Sequence, residues 1–175
     1  PSWGILKPIE GLAIDLGGTI GTLSKDNAPL VFKDQKDLGS SPIICYESVY
    51  GEFVSQTIKR GGQIIFVITN DGWWGDTPGH RQHLTFSVLR AIETRRSVAR
   101  SANTGISAFI NQRGDIEQPT NYWEPAVIKQ TLNANTKLTY YVKNGDYIAT
   151  TSAYISALVL LIALTQGFLR KKKRA

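Results

Sequence analysis

The chain has 175 residues, of which 42% are hydrophobic and 19% charged, so it is long and apolar enough to bury one core, and wholesale disorder is excluded. Its formal net charge is +6, but five of the 20 basic residues lie in the last six positions, and the other 15 nearly balance 14 acidic residues. A globular part so close to neutrality argues against a nucleic-acid-binding surface. A single cysteine, Cys45, excludes an intramolecular disulfide and a Cys-rich zinc site.

The first half of the chain alternates between strand and helix patterns. Residues 42–46 (PIICY) predict a short strand, and Ser48 is a candidate N-cap for a helix that ends near residue 60, before two glycines. The β-branched run at 63–69 (QIIFVIT) is typical of a strand buried on both faces. Residues 70–79 (NDGWWGDTPG) have the composition of a loop.

The second half predicts one long helix and three more strands. Apolar residues repeat at three- and four-residue steps from His80 to about Arg100, which predicts a helix. The predicted strands lie at 107–111, 126–131 and 137–143, with a hairpin turn at 112–115. This alternation predicts an α/β fold with a layered sheet.

The C-terminus has the pattern of a membrane anchor. Residues 147–169 contain no charged side chain, and RKKKR follows at once. A helix of this length would measure about 35 Å, which is enough to cross a hydrocarbon core of about 30 Å. The positive-inside rule then places residues 170–175 in the cytoplasm and residues 1–146 on the other side. The alternative is a buried core helix with a solvated basic tail.

Cys45 is the candidate nucleophile. It lies where a predicted strand turns into a helix, a position at which α/β enzymes present nucleophiles. A helix N-terminus there would favour the thiolate, and the backbone N–H of Tyr46 would point toward an oxyanion formed on the attacked carbonyl. The alternative is a buried structural cysteine.

Two histidines and two tryptophans are further candidates. His80 and His83, with Asp71 and Asp76 upstream, are only a weak signal for a metal site, and the alternative is a set of polar residues at a helix start in a loop network. Either histidine could also serve Cys45 as a base. Two adjacent tryptophans, residues 73–74, indicate a binding wall, a membrane contact or a partial core plug.

Several motifs together resemble one known family. The segments IICYE (43–47) and NDGWWG (70–75) resemble the nitrilase, or carbon–nitrogen hydrolase, superfamily, in which the catalytic cysteine follows an inner strand. The segments GHRQHL (79–84), RAIE (90–93) and RSANTGIS (100–107) narrow the resemblance to apolipoprotein N-acyltransferases. The resemblance covers the chain from about residue 40 to its end.

The resemblance implies a partial nitrilase-like α-β-β-α sandwich followed by one transmembrane helix, with the catalytic domain on the periplasmic side of the bacterial inner membrane. It implies acyl transfer from a phospholipid, through a Cys45 thioester, to the N-terminal amine of an apolipoprotein. The partners would be these two substrates and the bilayer, with no nucleic acid, metal or cofactor. The site residues that it implies are the Cys45 nucleophile, the Tyr46 N–H, Glu47 as a supporting carboxylate, and Asn70, Trp73 and Trp74 for substrate binding.

One departure from the family is large. Its catalytic Glu and Lys precede the cysteine, whereas the segment here that contains Lys7 and Glu10, LKPIEG, does not match the family pattern. We therefore expect the chain to be a C-terminal piece of a longer enzyme, inactive alone. A membrane-tethered nitrilase-type amidase and a non-catalytic membrane-anchored module are the alternatives.

Overall fold

The computed structural model describes residues 28–174. These residues form one mixed six-stranded sheet with helices packed on it, and then a long C-terminal helix. The strands are β1 Phe32–Lys33, β2 Gly39–Ile44, β3 Ile64–Asn70, β4 Ser97–Asn103, β5 Ala108–Ile110 and β6 Ile116–Glu117; the helices are α1 Gly51–Lys59, α2 Pro78–Thr94, α3 Tyr140–Asn144 and α4 Tyr147–Arg174. Lys7 and Glu10 lie outside the described residues.

The sheet brings three strand ends to one edge. Its strands are ordered β1 to β6 as in the sequence. β2, β3 and β4 are parallel and are joined by α1 and α2, whereas β1, β5 and β6 are antiparallel to their neighbours. The carboxyl ends of parallel strands are where α/β proteins place their ligands. Cys45 follows the end of β2, and the 70–75 loop follows the end of β3.

The core lies between one face of the sheet and helices α1 and α2. Apolar side chains from β2 to β5 meet apolar side chains of the two helices there, and Val142 of α3 joins them. The buried residues of this cluster are Ile43, Val54, Ile58, Ile65, Val67, Leu84, Ala91, Val98, Ile110 and Val142.

The opposite face of the sheet is apolar but open within residues 28–174. Ile44, Phe66 and Ile68 are 52%, 36% and 53% exposed. The prediction that the 63–69 strand is buried on both faces is therefore wrong for the described residues. The run is apolar on both faces, but helices cover only one of them, and an uncovered apolar sheet face is typical of half of a sandwich.

The first helix begins later than predicted. Cys45–Val49 form a 3₁₀ helix, and α1 starts at Gly51 with Tyr50 at the N-cap position, so Ser48 is not the cap. The Ser48 hydroxyl instead donates to the carbonyl oxygen of Cys45 at 2.9 Å.

The second helix ends earlier than predicted. α2 stops at Thr94 because Arg95 adopts a left-handed conformation with φ of 52°. Residues 97–103, which the helical pattern included in part, form the central strand β4. The predicted 107–111 strand and its hairpin turn are confirmed as β5, the turn and β6.

The segment between β6 and α3 is irregular rather than stranded. Neither predicted strand, at 126–131 or at 137–143, is present there. The Thr139 hydroxyl accepts from Val142 N at 3.1 Å and donates to the Glu93 carbonyl at 2.6 Å, which starts α3 and ties it to α2.

The last helix carries the candidate membrane span. Tyr147–Gln166 is long and apolar enough to cross a bilayer, and none of it is buried by the rest of the chain. α4 continues to Arg174, so the basic residues extend the helix instead of forming a separate tail.

Candidate functional site

Cys45 lies in a sharp turn between β2 and the 3₁₀ helix. Its φ is 50°, a left-handed conformation that is strained for a residue with a side chain. Its free thiol is partly exposed. A strained strand-to-helix turn that presents a side chain is the geometry of a nucleophile elbow, so the structure agrees with the position predicted for the nucleophile.

Two hydroxyl groups hold the turn. The Thr69 hydroxyl lies 3.2 Å from the Cys45 sulfur and can donate to it, and the Ser48 hydroxyl donates to the Cys45 carbonyl oxygen. Both hydroxyl-bearing residues are buried. Arg90, from α2, donates to the carbonyl of Val49 at 2.9 Å and so fixes the far end of the 3₁₀ helix.

Asp71 is the centre of a buried polar network behind Cys45. Its Oδ1 accepts from His83 Nδ1 at 2.8 Å and from the Thr69 hydroxyl at 3.0 Å, and its Oδ2 accepts from Arg100 Nη2 at 2.6 Å. The side chains of Asp71 and Arg100 are fully buried and that of His83 is 1% exposed. The carboxylate thus has donors on both of its oxygens.

This network shifts the pKa values of Asp71 and Arg100. Burial by itself would raise the pKa of Asp71, but the hydrogen bond from His83, the charge of Arg100 and the hydrogen bond from Thr69 lower that pKa below its usual value. Burial also lowers the pKa of Arg100, and the Asp71 carboxylate opposes that shift. Asp71 and Arg100 therefore form a buried ion pair at neutral pH.

Neither histidine is placed to take a proton from the thiol. His83 directs Nε2 at the Ser48 hydroxyl oxygen, at 3.1 Å, and at the Cys45 carbonyl oxygen, at 3.2 Å. His80 stacks on Tyr122 with ring centroids 4.2 Å apart. The histidines also form no metal site with the acidic residues, since residues 28–174 contain no cluster of three potential ligands.

Tyr46 and Glu47 follow Cys45 in the 3₁₀ helix. A Glu47 carboxylate oxygen accepts from the Ile44 N–H at 2.7 Å, which ties the start of the 3₁₀ helix to the end of β2. Glu47 also lines an open groove with Tyr50 and Phe53. The Tyr46 side chain is 52% exposed, with its ring centroid 6.0 Å from that of His83.

The two loop tryptophans have different environments. Trp73 is 60% exposed, as a binding wall or membrane contact would be. Trp74 is partly buried, with its ring centroid 5.2 Å from that of His83, as a core plug would be. Asn70 accepts from the Gly72 N–H at 3.1 Å through its side-chain oxygen and so shapes the loop.

A cavity of about 330 Å³ opens at the end of β4. Asn103, Thr104, Gly105 and Trp123 are among the residues that line it. The backbone N–H of Asp71 donates to the Asn103 carbonyl at 3.2 Å, which places the cavity beside the 70–75 loop. The position fits a pocket for part of a substrate.

The family assignment rests on the match to a family model. Residues 25–141, about two thirds of the chain, match the model described as carbon-nitrogen hydrolase. The chain belongs to the carbon–nitrogen hydrolase family. The matched residues contain the Cys45 turn, the 70–75 loop and the Asp71 network.

Several relatives of this carbon–nitrogen hydrolase chain are named apolipoprotein N-acyltransferase. That of Chlorobaculum tepidum is 34% identical over 89% of this chain and 30% of its own length. That of Nitrosomonas europaea is 33% identical over 95% of this chain and 33% of its own length. The chain spans between 22% and 33% of the length of the curated relatives that it matches.

Solved structures agree on the fold. An amidase from Nesterenkonia sp. superimposes with a TM-score of 0.53 and 18% identity, over 74% of this chain and 49% of that one. A structure of a mutant of that amidase, in which acrylamide has added to the active-site cysteine, gives the same score over 50% of its length. The carbon–nitrogen hydrolase fold is thus present here in part and is followed by α4.

Sequence analysis identified Cys45 and the tryptophan loop but missed the residues that support them. The sequence indicates Asp71 only as a possible metal ligand and as part of the NDGWWG motif, Ser48 only as a helix cap, and Thr69 and Arg100 only as parts of longer patterns. The sole usable signal was the position of Thr69 and Asp71 at the end of a strand parallel to the one before Cys45, because such ends share an edge.

Proposed function

We propose that this chain is the nucleophile-bearing part of an apolipoprotein N-acyltransferase, which transfers an acyl chain from a phospholipid to the N-terminal amine of a diacylglyceryl-cysteine lipoprotein. The observation that carries the proposal is Cys45 in a strained strand-to-helix turn, in a chain whose relatives bear that enzyme's name. The apolar helix α4 supports it, because both substrates are anchored in a bilayer.

The proposed reaction has two acyl-transfer steps. The Cys45 thiolate attacks the ester carbonyl of the phospholipid, a C–S bond forms, the ester C–O bond breaks, and the lysophospholipid oxygen takes a proton. The amine of the lipoprotein then attacks the thioester, a C–N bond forms, the C–S bond breaks, and the amine gives up a proton. The N–H of Tyr46 would stabilise the oxyanion in both steps.

The proton acceptor and the lysine of the family triad are proposed to come from residues other than those described here. Glu47 is engaged at the Ile44 N–H, where it would support the turn, and neither histidine contacts the sulfur. Loss of a general base costs roughly 10²–10⁴ in rate, so we propose that the 175-residue chain alone is inactive. Trp73, Trp74 and Asn70 would border the bound acyl chain.

The proposed location is the bacterial inner membrane, with the catalytic domain in the periplasm and α4 spanning the bilayer. The basic residues at the end of α4 would then lie in the cytoplasm, as the positive-inside rule requires.

Mass spectrometry of the intact protein tests the proposed function. The chain is co-expressed with the N-terminal part of a relative, such as the Nitrosomonas europaea protein, and incubated with phospholipid vesicles. We expect an acyl adduct on Cys45 that a lipopeptide amine discharges, and no adduct on Cys45→Ser, because the same base cannot ionise a serine hydroxyl. An adduct on the Ser variant with unchanged turnover would refute the nucleophile assignment.

Hydrolysis of a simple amide with no transfer from phospholipid would favour an amidase instead. Lipopeptide acylation by the 175-residue chain alone would show that it contains its own base.

A further inference from the structure

Cys45 is held at two of its atoms by side chains that meet at one carboxylate oxygen. The Thr69 hydroxyl lies 3.2 Å from the sulfur and 3.0 Å from Asp71 Oδ1. His83 donates from Nδ1 to the same Oδ1 at 2.8 Å and places Nε2 3.2 Å from the Cys45 carbonyl oxygen. Arg100 holds the other carboxylate oxygen at 2.6 Å.

We propose that Thr69 and His83 are positioning residues for the nucleophile, Thr69 at its sulfur and His83 at its carbonyl through the Ser48 hydroxyl, and that Asp71 is the anchor shared by both. The inference rests on the proposed function, in which Cys45 is the attacking group. The inference gives the buried Asp71 network a functional role, holding the nucleophile, in addition to its contribution to the fold.

The count of protons gives Thr69 a specific role. An ionised carboxylate only accepts hydrogen bonds, and the Thr69 hydroxyl has a single proton to give. When the sulfur is a thiol, the Thr69 hydroxyl can donate its proton to Asp71 in a hydrogen bond while the S–H donates to the Thr69 oxygen. When the sulfur is a thiolate, the proton can turn to it, and Asp71 keeps its donors from His83 and Arg100. Rotation of one hydroxyl therefore stabilises the thiolate without leaving the carboxylate unpaired.

His83 acts on the backbone of the turn. Its Nδ1 must carry a proton, because the Asp71 oxygen that it faces cannot donate. That requirement fixes the ring, which then places Nε2 3.1 Å from the Ser48 hydroxyl, the group that donates to the Cys45 carbonyl. A left-handed residue other than glycine persists only where its surroundings hold it, and these contacts surround the Cys45 carbonyl.

The test is the rate at which iodoacetamide alkylates Cys45 in the detergent-solubilised 175-residue chain. Cys45 is the only cysteine, so the mass increase reports on it alone. Thr69→Val keeps the shape of the side chain and removes the hydroxyl, whereas Thr69→Ser keeps the hydroxyl and removes a methyl group. The hydrogen bond to a charged acceptor is worth about tenfold in thiolate population, and the higher intrinsic reactivity of a less stabilised thiolate offsets part of this.

We expect Thr69→Val to react about three- to tenfold more slowly than the wild type, and Thr69→Ser to stay within about twofold of it. His83→Asn can still donate to Asp71 but is too short to reach the Ser48 hydroxyl, so it should also slow the reaction. A third variant, Thr69→Ala, guards against misfolding: it must match Thr69→Val if the hydroxyl matters. An unfolded variant would be alkylated at the rate measured in denaturant. A folded variant with a weaker thiolate would instead be alkylated slowly and would keep its native circular dichroism spectrum.

Equal rates for Thr69→Val and Thr69→Ser would overturn the inference, as would rates that follow side-chain volume. A further combination of results would also overturn it: Thr69→Val and Thr69→Ala do not fold, and Thr69→Ser folds but reacts more slowly than the wild type. In that case the hydroxyl would serve the fold alone. The assay needs no acyl donor, so it separates the two hypotheses. If the chain co-expressed with the N-terminal part of a relative never accepts an acyl chain, the proposed function is refuted, whereas the expected alkylation pattern leaves this inference standing.

Discussion

Asp71→Asn should destabilise the fold severely, although it replaces only one carboxylate oxygen with an NH₂ group. The amide has one oxygen for the three donors that converge on Asp71, and its NH₂ group must face either His83 or Arg100. The guanidinium of Arg100, which is fully buried, would lose its counter-charge. Removing one partner of a buried ion pair costs about 3–5 kcal/mol, a large share of the roughly 5–15 kcal/mol that stabilises a typical domain.

Thermal unfolding in detergent, followed by near-ultraviolet circular dichroism, measures this loss. A domain of this size loses about 4 °C in Tm per kcal/mol, so the midpoint should fall by about 10–20 °C. Asp115→Asn is the matched control, because Asp115 pairs with Arg113 at 2.7 Å on the surface, with side chains 55% and 79% exposed. We expect no measurable change there, since exposed pairs contribute little.

A double-mutant cycle identifies the cause. Arg100→Met removes the buried cation, so adding it to Asp71→Asn should cost much less than it costs alone. We expect a coupling above about 1 kcal/mol, whereas independent sites add to within about 0.5 kcal/mol. Additive costs, or an Asp71→Asn midpoint equal to that of Asp115→Asn, would refute the central role of the ion pair.

The pH dependence has a definite sign. The pKa of Asp71 is lower in the folded chain than its unfolded value of about 3.9, so its contribution to stability is complete above about pH 4 and is lost as the pH falls through the folded value. The wild-type midpoint should therefore fall more steeply than that of Asp71→Asn on acidification below pH 4. Parallel curves would contradict the shift.

Two further predictions concern other parts of the chain. A Cβ added at Gly105 would lie 2.4 Å from Asp71 Oδ2, so Gly105→Ala should lower the Tm and slow the alkylation of Cys45 by iodoacetamide; wild-type values for both would show that the network tolerates displacement. Replacing the five basic residues at 170–174 with serine should weaken the orientation of α4, measured with a reporter fused after Ala175. A reporter on the wild-type chain that is active only in the periplasm would refute the predicted topology.

The parts of the fold that were predicted correctly have strong local signals. The β3 run is β-branched, the 70–75 loop is rich in Gly and Asp, and the hairpin turn before β6 has Gly114 at φ 95°. β4 was missed because SVARSAN has one β-branched residue, and its alanines continue the helical spacing of α2. The helix ends at Arg95, which is left-handed although it is not a glycine, so the sequence has no local signal for the end of the helix. The pairing of residues 97–103 with β3 makes them a strand.

In the candidate site, too, the features with a local sequence signal are predictable and the others are not. The location of Cys45 at a strand-to-helix turn follows from a local pattern, an apolar strand that meets a helix, and the structure has this turn. The role of His83 depends on which ring nitrogen faces which atom across a gap of 38 residues. No spacing rule contains that information, and the sequence therefore left open whether a histidine serves as the base for Cys45.

The geometry around the sulfur indicates from which side its base must come. On the helix-covered side, the polar groups nearest to Cys45 are already engaged: the Thr69 hydroxyl is shared with Asp71, and both His83 nitrogens have partners. Among the described residues the hydroxyl of Thr69 is the one hydrogen-bond partner of the sulfur. The other side borders the apolar sheet face of Ile44 and Ile68, which are 52% and 53% exposed among residues 28–174. A layer packed on that face would bring its own side chains to the exposed part of the thiol. The same layer would therefore complete the sandwich, and it is the place from which we propose that the proton acceptor comes.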